Sequence, residues 1–300
     1  MSLMRPLLNR WLRMTERPHL ERGISVPRLR ASFERKARLF FFAPRGTRQR
    51  RDALDAVPVL WVNEDLPGPL ILYFHGGAYV MGSADTHRAM IAWLSRAARS
   101  PACLVDYRLA PDHPFPAALE DALTAYRAVM AHPGGVVLGG DSAGGGLALT
   151  LLGEIRRQEL RQPLGTFALS PLTDMTFSGD SVTRNAESDV VLPVSRTHET
   201  ALLYVPQDVD RRDPQVSPLW AEFTGAGPVW LSAGDTEVLL DDTRRMAVRL
   251  RDQGVTVHED IARDLPHVWP IFHNILPEAR ITLRRIGRWI NSLSPTAGDS

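Results

Sequence analysis

The residues most suited to chemistry lie at 136–145, where Val136, Val137 and Leu138 run into Gly139, Gly140, Asp141, Ser142, Ala143, Gly144 and Gly145. A short β-branched run that ends in a glycine-flanked serine and passes straight into a helix-forming stretch has the form of a nucleophile elbow. On so sharp a turn the residues two positions away, Gly140 and Gly144, can carry no bulky Cβ, and the serine hydroxyl projects above the carboxyl end of the strand. The chemistry that fits is attack of Ser142 on a carbonyl.

Such an attack creates an oxyanion, and the oxyanion needs donors. The apolar run at 69–74 ends in His75, Gly76, Gly77, Ala78 and Tyr79, a glycine pair in a loop directly after a strand. The N–H groups of Gly76 and Gly77, joined by that of Ala143, are the expected donors. Losing one such donor costs about 3 to 4 kcal/mol of barrier in comparable sites. Ala143 also opens a helix, whose dipole favours developing negative charge.

A serine at neutral pH further needs a base, and the base needs a group to orient it. In an elbow-bearing sheet the order is Ser, acid, His. Histidines follow at 198, 258, 267 and 273. His258 alternates within a strand pattern, His198 falls in an irregular insertion, and His273 sits in an apolar stretch. His267 lies on a proline-bounded loop between the last strand and the last helix, where its side chain can reach back over the sheet. It is the expected base. For the acid, Asp235, Glu237, Asp241 and Asp242 crowd one loop. Asp241 and Asp242 have a simpler role at the start of the following helix, which leaves Asp235 and Glu237 open on spacing alone. Asp141, beside the serine on a tight elbow, points away from it and is assigned to support.

The elements that must position these groups alternate. Strand-like runs near 57–62, 70–74, 103–107, 136–138, 166–169, 229–232 and 256–261 are interleaved, after an antiparallel opening, with helix-like stretches near 86–99, 116–131, 143–159, 241–253 and 277–292. This pattern gives an α/β fold, a mostly parallel central sheet with helices on both faces. Residues 1–45 and about 176–222 do not fit the alternation. They are expected to form a helical cap over the carboxyl ends of the strands, where ligands bind in open α/β sheets. The expected organisation is an N-terminal cap segment at 1–45 and a catalytic domain at 46–300 that carries the second cap piece.

Composition bounds the remainder. With 300 residues, 44% hydrophobic, 23% charged and a net charge of +1, the chain is an ordinary globular protein. No apolar run approaches the ~18 to 20 residues that span a bilayer. Residues 1–22 mix Leu with Arg, so no secretory signal is expected. The single cysteine, Cys103, excludes an intramolecular disulfide, reads as a core residue, and is compatible with a reducing cytoplasm, the expected location. Charge is uneven: residues 1–51 hold 14 basic and 3 acidic side chains, leaving the body near −10. Basic residues there interleave with Leu7, Leu8, Trp11 and Leu12 at helical spacing, which favours an amphipathic segment folded on an acidic body over a nucleic-acid arm. No metal-ligand spacing or phosphate loop is present, so neither metal nor organic cofactor is expected.

These residues resemble the bacterial hormone-sensitive-lipase-like esterases, also termed family IV, within the α/β hydrolases. The resemblance runs from about residue 57 to the last helix. It is carried by His75-Gly76-Gly77-Ala78, by the long segment at 106–118 containing Tyr107, Arg108, Leu109, Ala110 and Pro111, by Gly140-Asp141-Ser142-Ala143-Gly144-Gly145, by Ser170-Pro171-Leu172-Thr173-Asp174, by Ser217-Pro218-Leu219 and by His267-Val268-Trp269. The family commonly carries its acid in Asp-Pro-Leu-x-Asp, and Glu237-Val238-Leu239-Leu240-Asp241 matches that frame with Glu for Asp. The resemblance thus implies Ser142, Glu237 and His267 as the triad, with Asp235 as the alternative acid. It implies that His75 braces the oxyanion loop, and that Tyr107, Arg108, Asp112 and His113 are scaffold. The implied activity is serine carboxylesterase action on short- to medium-chain acyl esters. A lactone hydrolase or acetyl-hydrolase would use the same machinery, and a non-catalytic ligand receptor is the alternative from another class. The substrate partner is a small-molecule ester, and a homodimer is compatible with the resemblance.

Overall fold

The computed structural model describes residues 2–23 and 25–293, so the final seven residues of the expected 46–300 domain lie outside it. The chain opens with helices α1 (Met4–Glu21) and α2 (Val26–Phe40), then strands β1 (Gln49–Leu54), β2 (Val57–Val62) and β3 (Leu70–Phe74). Helix α3 (Ala84–Ala98), β4 (Ala102–Val105), α4 (Ala117–Val129), β5 (Val136–Asp141), α5 (Ser142–Arg157) and β6 (Gly165–Leu169) follow in alternation. Two short helices, α6 (Ser181–Arg184) and α7 (Thr197–Tyr204), precede β7 (Val229–Gly234), α8 (Leu240–Asp252), β8 (Val257–Ala262) and α9 (Pro277–Ser292).

The eight strands form one sheet in the order β1-β2-β4-β3-β5-β6-β7-β8. The pairs from β4 through β8 are parallel. The antiparallel opening differs from a simple pairing of the 57–62 and 70–74 runs: β2 pairs instead with β1 in a hairpin and with β4. Strand β1 is almost wholly exposed, so its sequence has no apolar alternation to betray it.

Strand β3 shows why the central runs are continuously apolar. Leu70, Leu72 and Phe74 belong to one core cluster with Ala118 and Ala122 of α4, Leu147 and Leu151 of α5 and Met246 of α8. Ile71 and Tyr73 point the other way, into Met90 and Leu94 of α3 and Leu283 and Ile286 of α9. Alternate side chains leave opposite faces of a strand, and here both faces are covered. A third, smaller cluster joins Leu8 and Leu12 of α1 to Val190, Leu265 and Trp269. The N-terminal amphipathic segment is therefore folded onto the body, as its spacing suggests.

The junction of β5 and α5 requires its glycines. A Cβ on Gly140 would lie 2.1 Å from the Gly144 carbonyl oxygen, and one on Gly144 would lie 2.1 Å from the carbonyl oxygen of Phe74. Between them Ser142 adopts φ +51°, a left-handed conformation that costs a non-glycine residue on the order of 1 to 2 kcal/mol. Packing on both sides of the sheet holds the turn in that shape.

Candidate active site

Ser142 is the first residue of α5, at the carboxyl end of the central strand β5. Its Oγ lies 2.9 Å from Nε2 of His267, whose Nδ1 lies 2.7 Å from Oε2 of Glu237. An ionised carboxylate only accepts hydrogen bonds, so Nδ1 carries the proton and Nε2 is left to accept from the serine hydroxyl. Serine, imidazole and carboxylate thus form one continuous chain of hydrogen bonds.

Three devices bring these groups together. Gly234 ends β7 so close to the His267 loop that a Cβ on it would lie 2.1 Å from the Leu265 carbonyl oxygen. The second oxygen of Glu237, Oε1, accepts from the Gly234 N–H and from the Ser170 hydroxyl, the latter at 2.8 Å. Ser170 Oγ in turn accepts from the Val268 N–H at 3.1 Å, fixing the residue after the histidine. Ser170, at the end of β6, therefore clamps both the acid and the base loop.

The competing carboxylates are accounted for elsewhere. Asp235 Oδ1 accepts from the Asp264 N–H at 2.6 Å and closes the turn after β8, so it does not reach His267. Asp241 and Asp242 lie in the first turn of α8, as their position suggests, although neither side chain caps it. Asp241 accepts from the Ser181 N–H and from Arg184, and Asp242 accepts from the Thr173 and Asp174 N–H groups. Burial pushes the Asp242 carboxyl up to about 7. Among the histidines, His258 stacks on Trp230 in the sheet with ring centroids 3.7 Å apart, His198 is exposed on α7, and His273 is buried against the carbonyls of Ile271 and Phe42.

The loop at 75–79 corrects one expectation. The Gly76 N–H donates to Asp141 Oδ1 at 3.0 Å and so is not free for a substrate. A Cβ on Gly76 would lie 2.1 Å from Asp141 Oδ2, which explains the glycine there by close approach to the carboxylate. Among the described residues, the N–H groups of Gly77 and Ala78 have no hydrogen-bond partner. The Ala143 N–H belongs to the first turn of α5 and lacks an intrahelical acceptor. Gly77 at φ +125° and Ala78 at φ +58° carry the loop past the serine.

Asp141 is the hub of this loop. It accepts from Tyr73 Oη at 2.6 Å and lies 3.2 Å from His87 Nε2, besides holding Gly76. Burial alone would raise its carboxyl, but the opposing influence of His87, Tyr73 and His75 leaves it below the usual aspartate value. His75 is fully buried, stacks on Tyr107 at 4.3 Å, and is pushed down to about 3 by burial and by His87. A neutral ring whose Nδ1 faces the Gly76 carbonyl at 2.9 Å braces the loop, and Tyr107 Oη donates to the His75 carbonyl at 2.6 Å. Arg108 binds Asp121, Asp112 binds Arg30 of α2, and the His113 side chain is exposed and makes no comparable tie.

His267 is buried, which by itself lowers its pKa. The charge and hydrogen bond of Glu237, helped by Asp189 and Asp141, outweigh that and raise it above 6.5. Asp189 was not singled out by sequence reasoning. It accepts from the Val191, Leu192 and Val238 N–H groups, and so joins the loop after α6 to the one that carries Glu237. Burial raises its carboxyl.

Above Ser142 a cavity of about 380 Å³ opens between the sheet and the N-terminal helices, walled by apolar side chains such as Leu8, Leu12, Leu29, Phe33, Leu192 and Ile271. Arg30 secures one wall by donating to the carbonyls of Val80 and Ala110. Arg17 secures the other through the carbonyls of Ala186 and Asp189. Among the described residues, no group of three or more His, Cys, Asp or Glu is placed to hold a metal ion.

A family profile described as alpha/beta hydrolase fold matches residues 71–271. An esterase of Acinetobacter venetianus is 32% identical over 227 residues, covering 75% of each chain. An acetyl-hydrolase of Streptomyces hygroscopicus is 34% identical over 228 residues, covering 75% of this chain and 76% of its own. Among solved structures, the esterase EstE5 soaked with p-nitrophenyl butyrate has a TM-score of 0.91 at 35% identity, covering 98% of this chain and 99% of that one. An esterase described as from the bacterial hormone-sensitive lipase family has a TM-score of 0.90 at 33% identity over the same shares. With a fold shared over 98% of its length with solved esterases at 33% to 35% identity, the chain is a carboxylic ester hydrolase of the α/β-hydrolase fold and belongs to the bacterial hormone-sensitive lipase family.

Proposed function

We propose that the protein is a serine carboxylesterase that cleaves short- to medium-chain acyl esters through an acyl-enzyme on Ser142. The observation that carries this reading is the unbroken hydrogen-bond chain from Ser142 through His267 to Glu237. Ser142 Oγ attacks the ester carbonyl while His267 Nε2 takes its proton. Glu237 holds the imidazole and stabilises the imidazolium that forms. The developing oxyanion is met by the amides of Gly77, Ala78 and Ala143, at the positive end of α5. His267 then delivers the proton to the departing alcohol, and the same base activates the water that deacylates Ser142.

Residues 1–45 and about 176–222 are assigned to the cap. The contacts of Arg17 and Arg30 across the cavity support that division. An acetyl-hydrolase, as the Streptomyces hygroscopicus relative is described, would use the same groups on a smaller acyl part. The experiment is hydrolysis of p-nitrophenyl esters from acetate to laurate, with organophosphonate labelling of Ser142. Activity is expected on short and medium chains with a decline toward laurate. A maximum at laurate overturns the chain-length reading, and failure of the folded protein to take label overturns the mechanism.

The pH dependence follows from the base. His267 must be neutral to accept the serine proton, and its pKa is raised, so the acid limb of kcat/KM is expected to have its midpoint above 6.5 and to fall about tenfold per pH unit below it. Glu237→Gln removes the charge that opposes desolvation, and the midpoint of its residual activity moves to lower pH. A pH profile of the two proteins on one ester checks both statements.

A further inference from the structure

The charge imbalance of the first 51 residues has no part in the hydrolytic chemistry. Its surroundings are unusual. Eight of the twelve large apolar side chains exposed among the described residues fall between Leu3 and Phe42. Leu3, just before α1, and Leu7 and Met14 on it are 86%, 61% and 68% exposed, and by their spacing they fall on one stripe with Met4 and Trp11. Helix α2 brings Leu39 and Phe40 alongside, with Trp11 and Phe40 in edge contact at 5.7 Å. The stripe is distinct from the inward face of α1, where Leu8 and Leu12 are buried.

Met4, Leu7, Trp11 and Phe40 are also wall residues of the cavity over Ser142. The apolar patch thus adjoins the pocket mouth, with Leu3, Met14 and Leu39 outside the pocket lining. Around it stand Arg10 on α1 and Arg35 and Arg38 on α2, all exposed and none with a carboxylate partner among the described residues. By helical spacing Arg10 shares a stripe with Leu3 and Met14, and Arg35 with Leu39.

We propose that this face of α1 and α2 docks the enzyme on an anionic lipid surface and presents the pocket mouth to ester lipids held there. An amphipathic helix with apolar residues on one stripe and arginines at its edge has the chemistry of interfacial binding, with the apolar side chains entering the acyl boundary and the cations meeting anionic headgroups. No helix among the described residues is long and apolar enough to cross a membrane, so the attachment is peripheral. A second copy of the chain is a poorer occupant: a two-fold contact here would oppose the same unpaired arginines and close both pockets. Docking rests on the surface alone, whereas delivery of esters to the site rests also on the assignment of Ser142 as nucleophile.

Flotation of the full chain with phosphatidylglycerol/phosphatidylcholine vesicles, against phosphatidylcholine alone, tests the proposal. Binding to the anionic vesicles is expected, weakened by salt, and equal for Ser142→Ala. The triple variants Arg10→Gln/Arg35→Gln/Arg38→Gln and Leu3→Ser/Met14→Ser/Leu39→Ser are expected to bind at least about tenfold more weakly. Both should hydrolyse soluble p-nitrophenyl acetate at the parental rate, which shows that they fold. An active parent that does not float with anionic vesicles overturns the proposal, as does undiminished binding of either variant. Sedimentation that reveals a dimer dissolved by the apolar variant would assign the face to a second copy and equally overturn it. Retained hydrolysis by Ser142→Ala would refute the nucleophile and leave the docking result standing.

Discussion

Ser142→Ala is expected to lower kcat for p-nitrophenyl butyrate by about a millionfold, with thermal unfolding nearly unchanged. Nucleophile and base act as one unit, so removal of the hydroxyl leaves only binding and the oxyanion donors, and a loss of this size is the measured scale for such a unit. His267→Ala should cost about as much, and the double variant little more, because neither group has a reaction to perform without the other. Stability is expected to hold because the left-handed backbone at Ser142 strains any residue with a Cβ, alanine included. The steady-state rate and a melting curve of the same preparation check both parts. A kcat within tenfold of the parent would remove Ser142 from the mechanism.

Glu237→Gln is expected to lower kcat by about 10⁴, and Asp235→Asn to leave it within a few fold. The hydrogen bonds at Glu237 explain why an isosteric amide does so much harm. Oε1 accepts from two donors, the Gly234 N–H and the Ser170 hydroxyl, so the amide oxygen of a glutamine must take that place. Its NH₂ then faces Nδ1 of His267, which has to accept, and the ring proton moves to Nε2. In that tautomer Nε2 cannot receive the serine proton. Asp235 only closes a turn by accepting from the Asp264 N–H, a bond an asparagine carbonyl also makes. If Asp235→Asn lost activity and Glu237→Gln kept it, the orienting role assigned to Glu237 would fall.

What the two levels of description contribute differs residue by residue. Strands β3 to β7 are legible because each is a local apolar run buried along its whole length, and α9 is legible because Leu283, Ile286 and Ile290 recur on one face. Strand β1 is not, since six exposed or half-exposed residues carry no pattern. At the site, Gly140 and Ser142 are readable because their requirement lies within the turn, where a Cβ on Gly140 would meet the Gly144 carbonyl oxygen at 2.1 Å. Gly144 is held to glycine from outside the turn, by the Phe74 carbonyl oxygen at the end of β3.

The support of that turn is nonlocal. Tyr73 and His87 converge on Asp141 from 68 and 54 positions away, and nothing in their neighbourhoods in sequence announces it. The same holds for Ser170, which holds Glu237 and Val268 across 67 and 98 positions. The Gly76 amide shows the consequence. Spacing marks it as a donor, but the folded chain turns it to Asp141, and the amides left without a partner are those of Gly77 and Ala78.

The amino-acid sequence by itself thus determined the elbow and a loop histidine able to reach back over the sheet, because each depends on backbone shape within a few residues. Only the tertiary structure decided that Glu237 rather than Asp235 meets His267, which amides stay unpaired, and that α1 and α2 build an apolar wall over Ser142. Those outcomes rest on which carboxylate or amide finds another partner first. That competition is settled by distances between segments far apart in the chain.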